Sequence, residues 1–322
     1  MTTRFNTGGR NFGYGKQIGY AVKNALKDRY GEGKFATRAA HEARFKQFTT
    51  YLKDEGIKDL KKIDQNTIER FGHKLYTAVI AKEMSTSYAQ NLISTVNVVM
   101  EQVRGDRILN LSPSKVVGQR SHIRVNAPKS MDRQLVNNAA LLMKTDSSGH
   151  REDKRGQLSI HLAREFGLRF KEAALLNLNR AVKEASTTGY FNVIDGTKGG
   201  RCADRLIAVN TRQLALLKAA KAEAGRYKNF VGKTGSFKQW QNSFSAAYRN
   251  SGARDALGKF HDLRAAYACE RYKDLTGHAA PVIAGERTAD YHLDQKARAI
   301  LALELGHNRG EVLNSYIGSA CL

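Results

Sequence analysis

The chain has 322 residues and carries 53 Lys+Arg against 30 Asp+Glu, a formal charge of +23. Hydrophobic residues make up 41% of it, enough to bury a core, so wholesale disorder is excluded. No run approaches the ~20 apolar residues of a membrane helix, and the opening MTTRFNTGGRNFGYGKQ lacks the apolar segment of a secretory signal, which leads us to expect a cytoplasmic protein with no membrane partner.

Residues 1–35 are rich in Gly, Arg and Lys and read as a basic N-terminal arm, with a short helix ended by Gly31 and Gly33. Residues 36–125 read as a helical domain with a basic linker running to about 131. Its first helix carries Phe45, Phe48 and Leu52 on one face. Asp64 caps the second, whose stripe is Ile68, Phe71, Leu75 and Val79; Ser85 caps the third, with Tyr88, Leu92, Val96, Val99 and Val103. Pro113, Gly118 and Pro128 break the periodicity beyond it, among the basic residues Lys115, Arg120 and Arg124.

The second domain spans 132–322, with helices expected at 132–145, 154–166 and 171–178. Over 190–209 the pattern turns to strand: Tyr190, Phe191, Val193 and Ile194 form one run and Leu206, Ile207 and Val209 another. The GTKGG between them marks a hairpin turn. Helical patterns resume at 211–224, 236–250, 260–275, 292–304 and 309–317. The fold class is thus mainly α with one small β-hairpin, an α+β chain of two domains.

The charge is spread over both domains. Residues 1–128 hold 22 basic and 11 acidic side chains, and residues 129–322 hold 31 and 19. A solubilising surface needs a far smaller imbalance, and a field of this size points to a polyanion, most often nucleic acid. Lys115, Arg120 and Arg124 are the linker residues expected to meet a phosphate backbone.

The three cysteines, Cys202, Cys269 and Cys321, lie 67 and 52 residues apart. That spacing excludes a disulfide framework and any CxxC zinc site. There is no HExxH, no DxD cluster and no Walker-type phosphate loop.

Four short segments hold the chemistry. GLRFKEAALL supplies Arg169 and Glu172, the hairpin turn supplies Lys198, HDLR supplies His261 and Arg264, and LGHNRGEVLNSYI supplies His307 and Tyr316. Singly each is ordinary: an arginine opening a helix is usually a surface residue, and HxxR merely puts two side chains on one helix face. Jointly they describe a cationic pocket around one phenol. Forked arginines clamp phosphate oxygens and stabilise developing charge, lysine and histidine move protons, and tyrosine is a nucleophile that forms covalent intermediates. Cations around a phenol also ease its ionisation from an ordinary pKa near ~10.

In this order and hairpin context, the set resembles the tyrosine recombinase (phage integrase) family. The resemblance runs from Arg169 through Lys198, HDLR and LGH to a tyrosine nine residues past that histidine. It implies a SAM-like core-binding domain followed by a tyrosine-recombinase catalytic domain. It further implies that Tyr316 attacks a DNA phosphate to form a 3′-phosphotyrosyl link, while Arg169 and Arg264 hold the phosphate. Lys198 would protonate the leaving oxygen, His261 would act in proton transfer, His307 would hydrogen-bond the phosphate, and Glu172 would brace the pocket. The chemistry it implies needs neither metal nor cofactor, in agreement with the absence of HExxH, DxD and Walker-type motifs. The implied partner is double-stranded DNA, on which a homo-tetramer forms, with accessory DNA-bending proteins and a nucleoid-associated location. Integration or excision of a mobile element is the implied role.

Two departures from the family pattern stand out. The stretch between Arg264 and Leu305 is long, and 276–295 reads as a surface insertion; the alternatives are an extra DNA contact or Tyr291 as a rival nucleophile, against which the nine-residue spacing favours Tyr316. Only six residues, IGSACL, follow Tyr316, so any exchange of tails between protomers is expected to be small. Three other functions stay open at this level: a type IB topoisomerase-like strand relaxer, a catalytically silent DNA-binding accessory protein of the same fold, and an RNA-binding protein.

Overall fold

A computed structural model describes residues 8–143, 154–197 and 204–319. It divides into two compact units, Met1–Ser121 and His122–Leu322. The boundary falls inside the stretch expected as a basic linker.

The first unit is built from α1 (Ile18–Tyr30), α2 (Phe35–Asp54), α3 (Gln65–Ile80), α4 (Thr86–Arg104) and the short α5 (Pro113–Val117). Helix starts follow the expected chemistry. Asp64 accepts from the Thr67 amide at 2.8 Å and Ser85 from the Tyr88 amide at 3.3 Å, satisfying amides that have no partner within the helix. Phe45, Phe48, Leu52, Ile68, Phe71, Leu75, Leu92, Val96, Val99 and Val103 are buried together. Tyr88, expected on the same stripe, instead stands 38% exposed at the start of α4.

The segment expected as an arm is packed against this core rather than set apart from it. Ile18, Ala21, Val22, Ala25 and Leu26 of α1 are buried. Asn11 is fully buried, its amide donating to Asp59 Oδ1 and its side chain to the Gly15 carbonyl, while its Oδ1 accepts from the Leu60 amide. One buried polar residue thus ties the N-terminal turn to the loop before α3. Composition hid this, because Gly, Arg and Lys dominate the segment while a few small apolar residues at helical spacing do the packing.

The second unit contains α6 (Arg133–Leu141), α7 (Arg155–Phe166), α8 (Phe170–Leu175), α9 (Leu178–Thr188), β1 (Tyr190–Asn192), β2 (Leu206–Ala208), α10 (Thr211–Ala224), α11 (Phe237–Asn250), α12 (Ala253–Leu257), α13 (Phe260–Thr276), α14 (Pro281–Ala284), α15 (Tyr291–Glu304) and α16 (Asn314–Ile317). The two strands pair antiparallel with Phe191 opposite Ile207. That pair is buried, and Tyr190 and Leu206 face outward, as the two-residue side-chain period requires. The chain is therefore mainly helical with one small hairpin, as expected.

Helix α9 was not foreseen. Its buried contacts are Leu178, Ala181 and Ala185, and alanines among polar neighbours give a weak periodic signal. The stretch expected as one helix over 309–317 is split into a 3-10 turn, Gly310–Leu313, and the single turn α16. Around α13 a separate cluster forms from Tyr267, Tyr272, Leu301, Leu305, Leu313, Tyr316 and Ile317. This cluster is the floor beneath the candidate site.

Candidate active site

Gly167 makes the site possible. Its φ is +60°, and a Cβ there would lie 2.5 Å from the Tyr267 ring and 2.8 Å from Leu305, so no other residue fits. The chain turns at Gly167 and presents Arg169 at the start of α8, where Glu172 accepts the Arg169 amide at 2.7 Å and its Nη1 at 2.5 Å.

Glu172 is fully buried and is the negative centre of the site. Arg205 Nη1 lies 2.8 Å from its Oε2, and Arg264 Nη1 lies 3.7 Å away. Burial alone would raise its pKa; the charges of Arg205, Arg264 and Arg169 outweigh this and hold it below the usual carboxylate range.

Arg264, on α13, is also fully buried. Its fork is spoken for: Nη1 donates to the Gly167 carbonyl and Nη2 to the Leu305 carbonyl. Its Nε donates to Tyr316 Oη at 3.2 Å. Burial pushes the guanidinium down to about 10, assisted by Arg205 and Arg169 and opposed by Tyr316 and Glu172. At neutral pH it stays positive.

Tyr316 is 2% exposed on α16. Its Oη also lies 3.1 Å from His307 Nε2. Burial first, then the charges of Arg264, Arg169 and Arg205, push His307 down to about 3, so its imidazole is neutral at physiological pH. Arg264 Nη2 approaches the same Nε2 at 3.4 Å and has only a proton to offer. The Nε2 lone pair therefore faces both groups, which makes Tyr316 the donor to His307 and the acceptor from Arg264.

His261 approaches differently. Its ring centroid is 4.7 Å from that of Tyr316, tilted 48°. Loss of surrounding water, then Arg264 and Arg124, push it down to about 4, with Asp262 opposing. Arg169, Glu172, Arg205, His261, His307 and Tyr316 together line one cavity of about 360 Å³.

Five of the six residues expected to be catalytic are thus gathered around one cavity or its floor. The sixth, Lys198, lies outside the described residues, as does Cys202; Thr197 and Asp204, on either side of that gap, line the cavity. Arg124 pairs with Asp262, the residue after His261, and its own amide donates to the Asn314 carbonyl at 2.8 Å. Lys115 and Arg120 lie in the other unit and are exposed. Tyr291 is 55% exposed and is not among the cavity's lining residues.

Arg205 belongs to none of the four sequence motifs. It is buried, its Nε donates to the Glu304 carbonyl at 2.6 Å, and it joins the segments of Glu172 and His307. The one available signal was an arginine opening an apolar strand, a position where a charge needs a partner.

Residues 123–270 match the family model described as Integrase. That span includes Arg169, Glu172, Lys198, His261 and Arg264 and ends before His307 and Tyr316. No curated protein matches the chain. Among solved structures, the chain is similar to a lambda integrase dimer bound to a COC′ core site, at 15% identity and a TM-score of 0.56, covering 93% of this chain and 76% of that one. It is also similar to a lambda integrase(75-356) dimer bound to the same kind of site, at 16% identity and a TM-score of 0.55, covering 93% and 94%. A third likeness, to XerA recombinase, has 15% identity and a TM-score of 0.40 over 92% and 93%. The integrase match, on a fold shared with lambda integrase, supports the tyrosine recombinase (phage integrase) family for this chain. Among the described residues no helix is long and apolar enough to cross a membrane, and no cluster of three or more His, Cys, Asp or Glu is arranged to hold a metal.

Proposed function

We propose that the chain is a site-specific DNA recombinase that cuts and rejoins strands through a 3′-phosphotyrosyl intermediate, serving integration or excision of a mobile element. The observation that carries this reading is the phenol of Tyr316, held between Arg264 Nε and His307 Nε2 on the wall of an arginine-lined cavity.

In this reading a scissile phosphate enters the cavity and meets Arg169, with Arg264 behind it. Tyr316 Oη attacks phosphorus as its proton passes to His307 Nε2, and the bond from phosphorus to the 5′-oxygen breaks. Lys198 supplies the proton that the leaving oxygen takes up. The phosphate's own charge offsets the arginines that depress His307, so the imidazole becomes a stronger base when DNA is bound. Arginine donors stabilise the charge that builds on the non-bridging oxygens. His261 packs its ring on the tyrosine and borders the phosphate. Glu172 holds the arginines apart and in register. The phosphotyrosyl bond conserves the energy of the phosphodiester, so rejoining is the same step reversed by a 5′-hydroxyl.

Double-stranded DNA is the partner, and excess positive charge in both halves of the chain favours binding to its phosphates. Four protomers pairing two DNA sites, aided by DNA-bending proteins, would complete the exchange. The test uses nicked duplexes tiling the DNA that flanks the gene, on which a cut strand is lost and the adduct is trapped. The expected result is a covalent adduct mapping to Tyr316. DNA retention with no adduct on any duplex overturns the enzymatic reading and leaves a silent DNA-binding protein.

A further inference from the structure

Behind the catalytic cavity lies an ion pair that the mechanism does not use. Asp294 and Arg298, one turn apart on α15, are 0% and 3% exposed. Arg298 Nε donates to Asp294 Oδ2 at 2.8 Å, and Tyr272 of α13 donates its hydroxyl to Asp294 Oδ1 at 2.8 Å. A buried ion pair is a poor source of stability, because desolvating two charges offsets most of their attraction. Its retention calls for a geometric task.

The free edge of the guanidinium shows the task. Arg298 Nη1 donates to Asn314 Oδ1 at 2.9 Å, and Nη2 donates to the Gly318 carbonyl at 3.2 Å. These residues lie two before and two after Tyr316, so a single planar fork grips both ends of the turn that carries the phenol. Gly318 has φ +87°, and a Cβ there would come within 2.8 Å of the Val282 amide nitrogen. The tail of the turn therefore lies flat on α14, inside the stretch expected to be a surface insertion.

We infer that Arg298 is a positioning residue for Tyr316, oriented by Asp294 and Tyr272, and that segment 276–295 is the seat of the nucleophile's turn rather than a surface decoration. α16 is a single turn of four residues, too short to hold its own shape. Without the fork the phenol keeps its contacts to Arg264 and His307 only as one of several arrangements. Displacing a reacting group by about 1 Å costs on the order of a hundredfold in rate.

The inference rests on Tyr316 being the nucleophile, so its test has one readout that needs no catalysis. Arg298→Lys keeps the charge opposite Asp294 and loses the planar fork; Asn314→Ala removes one grip and leaves the ion pair whole. In the full chain without DNA, hydrogen exchange of the amides over 314–319 is expected to speed up by about tenfold or more in both variants, while α2 to α4 exchange as in the parent. With DNA at saturation, formation of the Tyr316 adduct is expected to slow by about tenfold or more at unchanged DNA affinity. A bridging sulfur at the leaving position, which needs no proton, does not restore the rate. Unchanged exchange over 314–319 in both variants overturns the inference whatever the activity. Faster exchange in both variants, in a protein whose parent forms no adduct, upholds the seat and overturns the nucleophile reading alone. If Arg298→Lys does not fold, Asn314→Ala alone decides.

Discussion

His307 Nε2 and Tyr316 Oη lie 3.1 Å apart, although nine residues and a 3-10 turn separate them in the chain. The turn Gly310–Leu313 folds the chain back so that the end of the LGH segment and α16 face each other across Arg264. Because Arg264 only donates, the direction of the hydrogen bond is fixed from tyrosine to histidine.

That direction requires a neutral imidazole, and the free protein tests it by titration. His307 is depressed to about 3 and His261 to about 4, both from 6.5. Their ring C–H resonances are therefore expected to stay flat from pH 8 down to about 5.5. A midpoint near 6.5 for His307 refutes the assignment. The sign for stability follows from linkage: below 6.5 the unfolded chain binds protons that the folded site refuses. Their stabilisation is complete above 6.5 and is lost as pH falls from there toward 4 and 3. Denaturation midpoints of His307→Asn should fall less steeply over that window than those of the parent.

Tyr316→Phe isolates the phenol oxygen from the ring's packing. The ring is buried in the cluster with Leu313, Leu301 and Ile317, so the variant folds. It leaves the buried Arg264 Nε without its acceptor, a loss of roughly 1–3 kcal/mol, measurable by denaturant unfolding. Covalent capture of DNA is expected to vanish while binding survives. Adduct formation at the parent rate would show that another group attacks.

The site was legible where chemistry dictates residue type within short frames. HxxR on one helix carries His261 and Arg264 to the same side, and the nine-residue interval brings Tyr316 back to His307. What stayed hidden depends on partners remote in the chain. Arg205 finds Glu172 33 residues earlier and Glu304 99 residues later; no local pattern announces either. Arg298 carries no local signal, because its partners, Asn314 and Gly318, are amide or backbone groups in a turn remote from it in the chain. Helix α9 and the packing of α1 were obscured for the opposite reason: alanine buries well yet contributes little to periodicity.

Glu172→Gln should be the most disruptive conservative change in the cavity. It removes the one charge that Arg169, Arg205 and Arg264 share, at a residue with no exposure. Breaking a buried ion pair from one side costs about 3–5 kcal/mol. Unfolding in urea is expected to report a loss of that order, with the same slope. A loss below about 1 kcal/mol would mean the arginines repel too little to need it.

Arg205→Lys asks whether charge or geometry matters at the residue the sequence concealed. Arg205 uses Nη1 for Glu172, Nε for the Glu304 carbonyl and Nη2 for the Gly167 carbonyl at 3.4 Å. Lysine keeps the charge and cannot span three acceptors in one plane. Cleavage at saturating DNA is expected to slow by about tenfold or more, with affinity little changed, because the side chain is buried and not a surface cation. A parent-like rate would reduce Arg205 to a counter-charge.

The linker cations separate binding from assembly of the site. Lys115 and Arg120 are exposed, so each removed to alanine should weaken DNA binding uniformly across sequences. Each should also lower the log–log salt slope by about 1 if it meets one phosphate. Arg124 is less open to solvent, its side chain 18% exposed against Asp262. Its amide meanwhile holds the Asn314 carbonyl, two residues before Tyr316. Arg124→Ala is therefore expected to change the slope by well under 1 and to slow the covalent step at saturating DNA, because Asp262 loses the partner that braces the start of α13. A full unit of slope with an unchanged rate would instead make Arg124 a plain phosphate contact that trades Asp262 for DNA.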